Sequence, residues 1–227
     1  MTQKYKLTDE IRKIGATTLY RIESLKDFGN VKAGDKGGWI ESEGNLSQVD
    51  DCWVSGDARV RGNAQVFGDA WVYGDALVSG KAQVYGYAWL GGNAWVNGNA
   101  RVSGKAVVSG EAWVYGNAWV FGDAVVFGNA KVSGNAVVIG KAVVSDNAKV
   151  SGNARVYGNA VVFGDARVSG NARVSGDAMV FGDAMVFGKA EVSGNARVSG
   201  NAKVSGKALV RGNAKVSEGH VNKGELI

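Results

Sequence analysis

One phrase of six residues dominates this chain: Gly, Asn or Asp, Ala, any residue, Val, any residue, as in "SGNARVSGDAMVFGDAMVFGKAEVSG" from Ser169. Val stands at every sixth position from Val54 to Val216, Leu90 excepted, so twenty-eight hexads follow one another without insertion or deletion. An unbroken short period makes the chain a stack of equivalent units and constrains the fold before length or composition does. Ala and Val lie two residues apart, which in extended chain turns both to the same side, while the residue between them and the one after Val point outward. Each hexad is therefore a short strand. Gly followed by Asn or Asp supplies the corner, because Gly adopts positive φ freely and Asn and Asp tolerate it better than other residues. Asp146 at a Gly position and Tyr87 at an Asn/Asp position mark two corners expected to bulge.

The outward residues between Ala and Val set the number of hexads per coil. Every eighteenth residue from Trp53 gives Trp53, Trp71, Trp89, Val107, Val125, Val143, Val161 and Met179, then Arg197 and Lys215. That is an unbroken apolar ladder ending in two cations. A period of twelve gives Trp53, Gln65, Leu77, Trp89 and Arg101, a mixture with no surface logic. Three hexads per coil are expected: an all-β, single-stranded parallel β-helix shaped as a triangular prism, with 18-residue coils stacked about 4.8 Å apart.

Composition narrows the class further. Gly is over-used at 35 residues and Pro is absent, which excludes collagen and Pro-rich linkers while leaving turns throughout. The single cysteine, Cys52, occupies an inward position where the repeat elsewhere has Ala, so a buried free thiol is expected and no disulfide framework exists. The leader "MTQKYKLTDEIRKIG" lacks an apolar signal core, and no run reaches the roughly 18 apolar residues of a membrane span. A soluble, cytoplasmic protein without a membrane partner is expected.

The phrase "VSGNAR", with an aliphatic residue and then a small one four places on, resembles the hexapeptide repeat of left-handed parallel β-helices. That resemblance implies the left hand; ordinary parallel crossovers favour the right. Open solenoids expose strand edges and call for caps. Residues 1–37 are expected to form a β-rich N-terminal cap, 38–217 the β-helix, and 218–227 a short C-terminal cap or tail. The leader "SLKDFGNVKAGDKGGWIESEGNLSQVDDCWV" resembles that of uncharacterised hexapeptide-repeat proteins of enterobacteria and their phages or prophages. The likeness implies an origin and a fold more than a reaction.

Many hexapeptide-repeat proteins are trimeric acyltransferases, in which a His acts as general base beside coenzyme A. Such chemistry needs an imidazole poised near neutral pH. Here the only His is His220, beyond the last hexad, where an exposed tail residue is expected. Asp57 with Asp75, and Asp165 with Asp183, stack along a corner row, where turn chemistry explains them as well as paired carboxylates or metal ligands would. No catalytic, cofactor or metal site is expected, and the acyltransferase stays as the alternative.

Two surfaces invite partners. The Trp53 to Met179 ladder carries Tyr73, Phe127, Phe163 and Phe181 just after its valines, a stripe about 34 Å long and roughly 500 to 700 Å² in area, at or above the largest patch usual on a monomer. Self-association is expected through Trp53, Trp71, Trp89, Val107, Val125, Phe127, Val143, Val161, Phe163, Met179 and Phe181, as a homotrimer or a homodimer. A basic edge lies towards the C-terminus, with Lys149, Arg167 and Lys203 on one face, Arg155 and Arg173 on the next, and Lys189 and Lys207 between. From Lys149 to Ser217 there are ten Lys or Arg against four Asp or Glu, an edge suited to nucleic acid or nucleotide phosphates if it is more than a solvated surface. The function expected is a non-catalytic, rigid, self-associating solenoid of phage or prophage type that binds or scaffolds, with a bacterial host protein as a further partner.

Overall fold

The alternation of Ala and Val around a Gly-led corner, repeated without interruption, winds the chain into a parallel β-solenoid. The computed structural model describes residues 3–227. Thirty strands lie in three parallel sheets, and a three-strand N-terminal element extends the first of them. Sheet I contains strands such as Arg59–Val60 and Leu77–Val78, sheet II runs from Trp53–Val54 to Lys215–Val216, and sheet III begins at Gln65–Val66. Trp53 pairs with Trp71, Arg59 with Leu77 and Gln65 with Gln83, a spacing of eighteen residues in all three sheets. The core is a column of inward Ala and Val, all fully buried from Ala70 to Val210 with Leu90 among them. Intercoil backbone bonds hold the column together, as where the Val107 N–H donates to the Ala124 carbonyl at 2.9 Å.

Corners approach one another closely. Gly104 has φ +69°, and a Cβ placed there would lie 2.9 Å from both the backbone N and O of Gly122, one coil on. Glycine is required at this corner twice over, by its left-handed backbone and by its neighbour. Asp146 takes φ +55° at the equivalent position, and its carboxylate accepts a bond from the Gly164 N–H at 3.0 Å. Neither Asp146 nor Tyr87 interrupts the eighteen-residue register, contrary to the bulges expected there. A short polar side chain at φ > 0 finds a local backbone partner, and Tyr87 projects into solvent, 60% exposed. Pairing departs from the usual two residues at Trp119–Gly122 and Val137–Gly140, where it continues through Phe121 with Ile139 and Gly122 with Gly140.

Both ends depart from the period. Strands β1 (Tyr5–Ile14) and β2 (Thr17–Ser24) form an antiparallel hairpin, and β2 pairs antiparallel with β3 (Lys36–Ile40). β3 then pairs parallel with Arg59–Val60, so one strand belongs both to the cap and to sheet I. Here Ile40 meets Val60, twenty residues away, and Leu46 likewise meets Val66. The buried Asn45 amide stitches this longer first coil by donating to the carbonyls of Gly62 at 2.8 Å and Ala64 at 2.9 Å. At the far end Lys203 pairs with His220 and Leu209 with Glu225, seventeen and sixteen residues apart. His220 is exposed, as expected, but it belongs to a strand and not to a tail: adding two strands to the open edge satisfies backbone groups such as the Ser205 N–H, which donates to Val221 at 2.8 Å.

Candidate functional site

The eighteen-residue register brings together the column that the sequence assigns to self-association. Trp71, Trp89, Val107, Val125, Val143, Val161 and Met179 stack in consecutive pairs on sheet II, followed by Arg197 and Lys215. Trp89 is 53% exposed, and the valines and Met179 are half-buried by their neighbours alone. Beside them Phe163 and Phe181 stack at 4.9 Å between ring centroids, and Phe127 is 40% exposed. Tyr73 meets the Trp89 ring edge-on at 6.3 Å, filling the space where a Cβ at position 91 would stand, which explains Gly91 there.

Trp53 is a correction. It continues the column in register but is 2% exposed, with Phe28 at 5.4 Å and Tyr5 at 6.4 Å, both edge-on. The cap folds over the first rung because an open solenoid end leaves apolar surface that its own leader can cover. A second copy can meet the column only from Trp71 onward.

The cap is clamped by two polar clusters that the repeat does not announce. Lys4 is fully buried and donates from Nζ to the carbonyls of Cys52 at 2.9 Å, Asp50 at 3.1 Å and Val49 at 3.3 Å, with the Cys52 Sγ at 3.2 Å. Burial pushes the Lys4 ammonium below its ordinary pKa and the Cys52 thiol above its own. Cys52 is the buried free thiol its inward position implies. Asp57 accepts from the Trp39 indole N–H at 3.2 Å and from Arg12 at 2.9 Å, while the Arg12 and Arg21 guanidinium groups lie 4.4 and 5.1 Å from the Trp39 ring centroid. These bonds, the indole's first, hold the Asp57 carboxyl below the usual carboxylate range. A lowered folded pKa contributes stability above the unfolded value, about 3.9, and loses it as pH falls through the folded one. Acid is therefore expected to loosen the cap first, and Asp57→Asn to remove that dependence, read from hydrogen exchange in β1 and β2 corrected for intrinsic rates.

The basic edge folds around the corner between sheets I and III. Lys149 and Arg167 pair in register on sheet I, with Met185 between Arg167 and Lys203. Arg155 and Arg173 pair on sheet III, and Arg173 is held by Glu191 at 3.2 Å. Lys189 and Lys207 lie exposed at that corner. N-terminal to them the same corner carries an amide ladder, with Asn99, Asn117, Asn135 and Asn153 each donating to the next at 2.9 to 3.1 Å as far as Asn171.

The sequence reading passed over an aromatic floor on sheet III. Arg101, Trp119, Val137 and Arg155 stack in one column, with Phe121, Ile139 and Tyr157 beside it. Counting by eighteen from Arg101, as from Trp53, was the signal that would have found it.

Catalytic geometry is sparse. Ser205 Oγ lies 2.6 Å from His220 Nε2, and the imidazole stacks on Phe187 at 6.2 Å. Ser205 is buried, and the contact joins strand Lys203–Val204 to strand His220–Val221 at the last coil. Among the described residues no group of three or more His, Cys, Asp or Glu side chains is placed to hold a metal ion. Among the described residues no helix is long and apolar enough to cross a membrane.

Comparison with known proteins agrees with the architecture. A family model described as the YdcK beta solenoid repeat matches residues 70–86, 130–146, 148–164, 166–182, 172–188 and 190–206. No curated protein sequence matches the chain.

Proposed function

We propose that this repeat β-solenoid is a non-catalytic, rigid scaffold that associates with copies of itself through the apolar column of sheet II. The supporting observation is the run from Trp71 to Met179: seven stacked outward residues, none charged, flanked by Phe127, Phe163 and Phe181. A continuous apolar stripe of that length on a rigid surface loses little conformational entropy when covered, because the strands carrying it are already ordered. The leader's resemblance supports a place among the hexapeptide-repeat proteins of phages and prophages, and the resemblance of the repeat itself supports left-handed coils; the setting is taken as cytoplasmic. A bacterial host protein is a further partner for such a scaffold.

Replacing Val125 and Val143 together with Lys tests the interface. Both point away from the core, so β-sheet circular dichroism should persist, while like charges one coil apart enter the contact. The expected mass by light scattering falls to that of one chain, 23.6 kDa. A wild-type protein already monomeric at micromolar concentration would overturn self-association.

A further inference from the structure

The aromatic floor of sheet III differs from the column of sheet II in its charge. Trp119 is 41% and Tyr157 38% exposed, both in a concavity of about 560 Å³ completed by Phe121, Val137, Ile139 and Arg155. Arg155 also lines a polar concavity of about 380 Å³ with Asn153, Asn171, Arg173, Lys189 and Glu191. The Arg101 guanidinium lies over the Trp119 ring, 5.0 Å from its centroid. Among the described residues neither Arg101 nor Arg155 has an ion-pair partner, whereas Arg173 meets Glu191.

The distribution of charge around the rod sharpens the point. Between positions 81 and 173, sheet III and its two corners carry Lys81, Arg101, Lys105, Lys141, Arg155 and Arg173 against Asp123 alone, six cations to one anion. Between the same positions the corner between sheets II and I carries Glu111, Asp146 and Asp165 and no cation. One side of the solenoid thus pairs flat apolar rings with unneutralised arginines at fixed spacing. Coils rise about 4.8 Å, so Arg101 and Arg155, three coils apart, are about 14 Å from each other, with the aromatic floor between them.

We propose that this floor binds single-stranded nucleic acid, with bases stacked on Trp119 and Tyr157 and phosphates held by Arg101 and Arg155. A flat ring needs a free base face, and a strand with unpaired bases exposes one beside each phosphate. A duplex hides those faces in its own stack and offers the arginines its phosphates alone. Lys149 and Arg167, on sheet I, lie around the corner from the floor. The site is on a different sheet from the self-association column, so the two readings fail separately.

Fluorescence anisotropy with a labelled oligo-dT of about a dozen nucleotides tests this, a length within the usual site size. Binding is expected at low ionic strength, weaker for a duplex of equal length. With two phosphates neutralised, log affinity should fall against log salt with a slope of about −1.4. Trp119→Ala with Tyr157→Ala should cost about tenfold or more at constant salt, and Arg101→Glu with Arg155→Glu should abolish binding. Arg197→Ala with Lys215→Ala, on sheet II, should leave affinity within about twofold, and circular dichroism should show all variants folded. No binding at low ionic strength would overturn the proposal. So would equal affinity for duplex or heparin together with indifference to the Trp119 and Tyr157 changes, which marks a surface that attracts any polyanion.

Discussion

Gly104→Val is expected to destabilise the solenoid by about 2–4 kcal/mol. Two costs combine. A residue other than Gly in the left-handed region costs about 1–2 kcal/mol, and more when β-branched. The new Cβ also meets the Gly122 backbone N and O at 2.9 Å, so the coils must part where Lys105 donates to the Gly122 carbonyl at 2.7 Å. Losing that bond, between an exposed residue and a half-buried one, adds about 0.5–1.5 kcal/mol. Because each coil touches only its neighbours, the damage stays at one interface, and guanidinium unfolding followed by circular dichroism should resolve into two transitions. Asp146→Gly is the control: restoring the common residue removes strain and one carboxylate bond to Gly164, and a change within about 1 kcal/mol is expected. Gly104→Val indistinguishable from wild type would show that the corners yield, and that close approach does not select glycine.

Deleting one hexad, Asp123 to Gly128, is expected to preserve the fold and destroy self-association. The new junction reads Phe121-Gly122-Asn129-Ala130-Lys131, an uninterrupted continuation of the repeat. Inward Ala and Val are interchangeable from hexad to hexad, so the core closes. Every outward residue downstream nevertheless moves to the next face. Val107 would then stack on Lys131 and be followed by Lys149 and Arg167, placing a row of cations where Val125, Val143 and Val161 stand. Deleting the whole coil from Asp123 to Gly140 instead sets Val107 on Val143 and shortens the apolar column by one rung. The hexad deletion should sediment as a single chain and the coil deletion as the wild-type assembly, both with β-sheet spectra. If the hexad deletion remains associated, the column of sheet II is not the contact; if it unfolds, the hexads are not equivalent inside.

The contrast between these deletions separates what was legible in the letters from what was not. Strand, corner, coil length and the membership of each outward column follow from the sequence, because side-chain alternation and corner chemistry are local and repetition carries them along the rod. Arg101 and Trp119 share a column for the same reason as Val125 and Val143, and only the choice of starting residue hid the sheet III floor. The ends obey no period. The burial of Trp53 beneath Tyr5 and Phe28, the Lys4 bonds to Cys52 some forty-eight residues away, and the meeting of Arg12, Trp39 and Asp57 all join segments with no repeating signature. Nor does any motif mark the two extra residues of the first coil or the two strands that close the last. Sequence by itself determined the rod and the composition of its faces, since those are sums of local rules. Tertiary structure decided which rungs are covered and how the ends are sealed, since unpaired backbone and apolar surface at an open edge are satisfied by whatever segment the chain can bring to them.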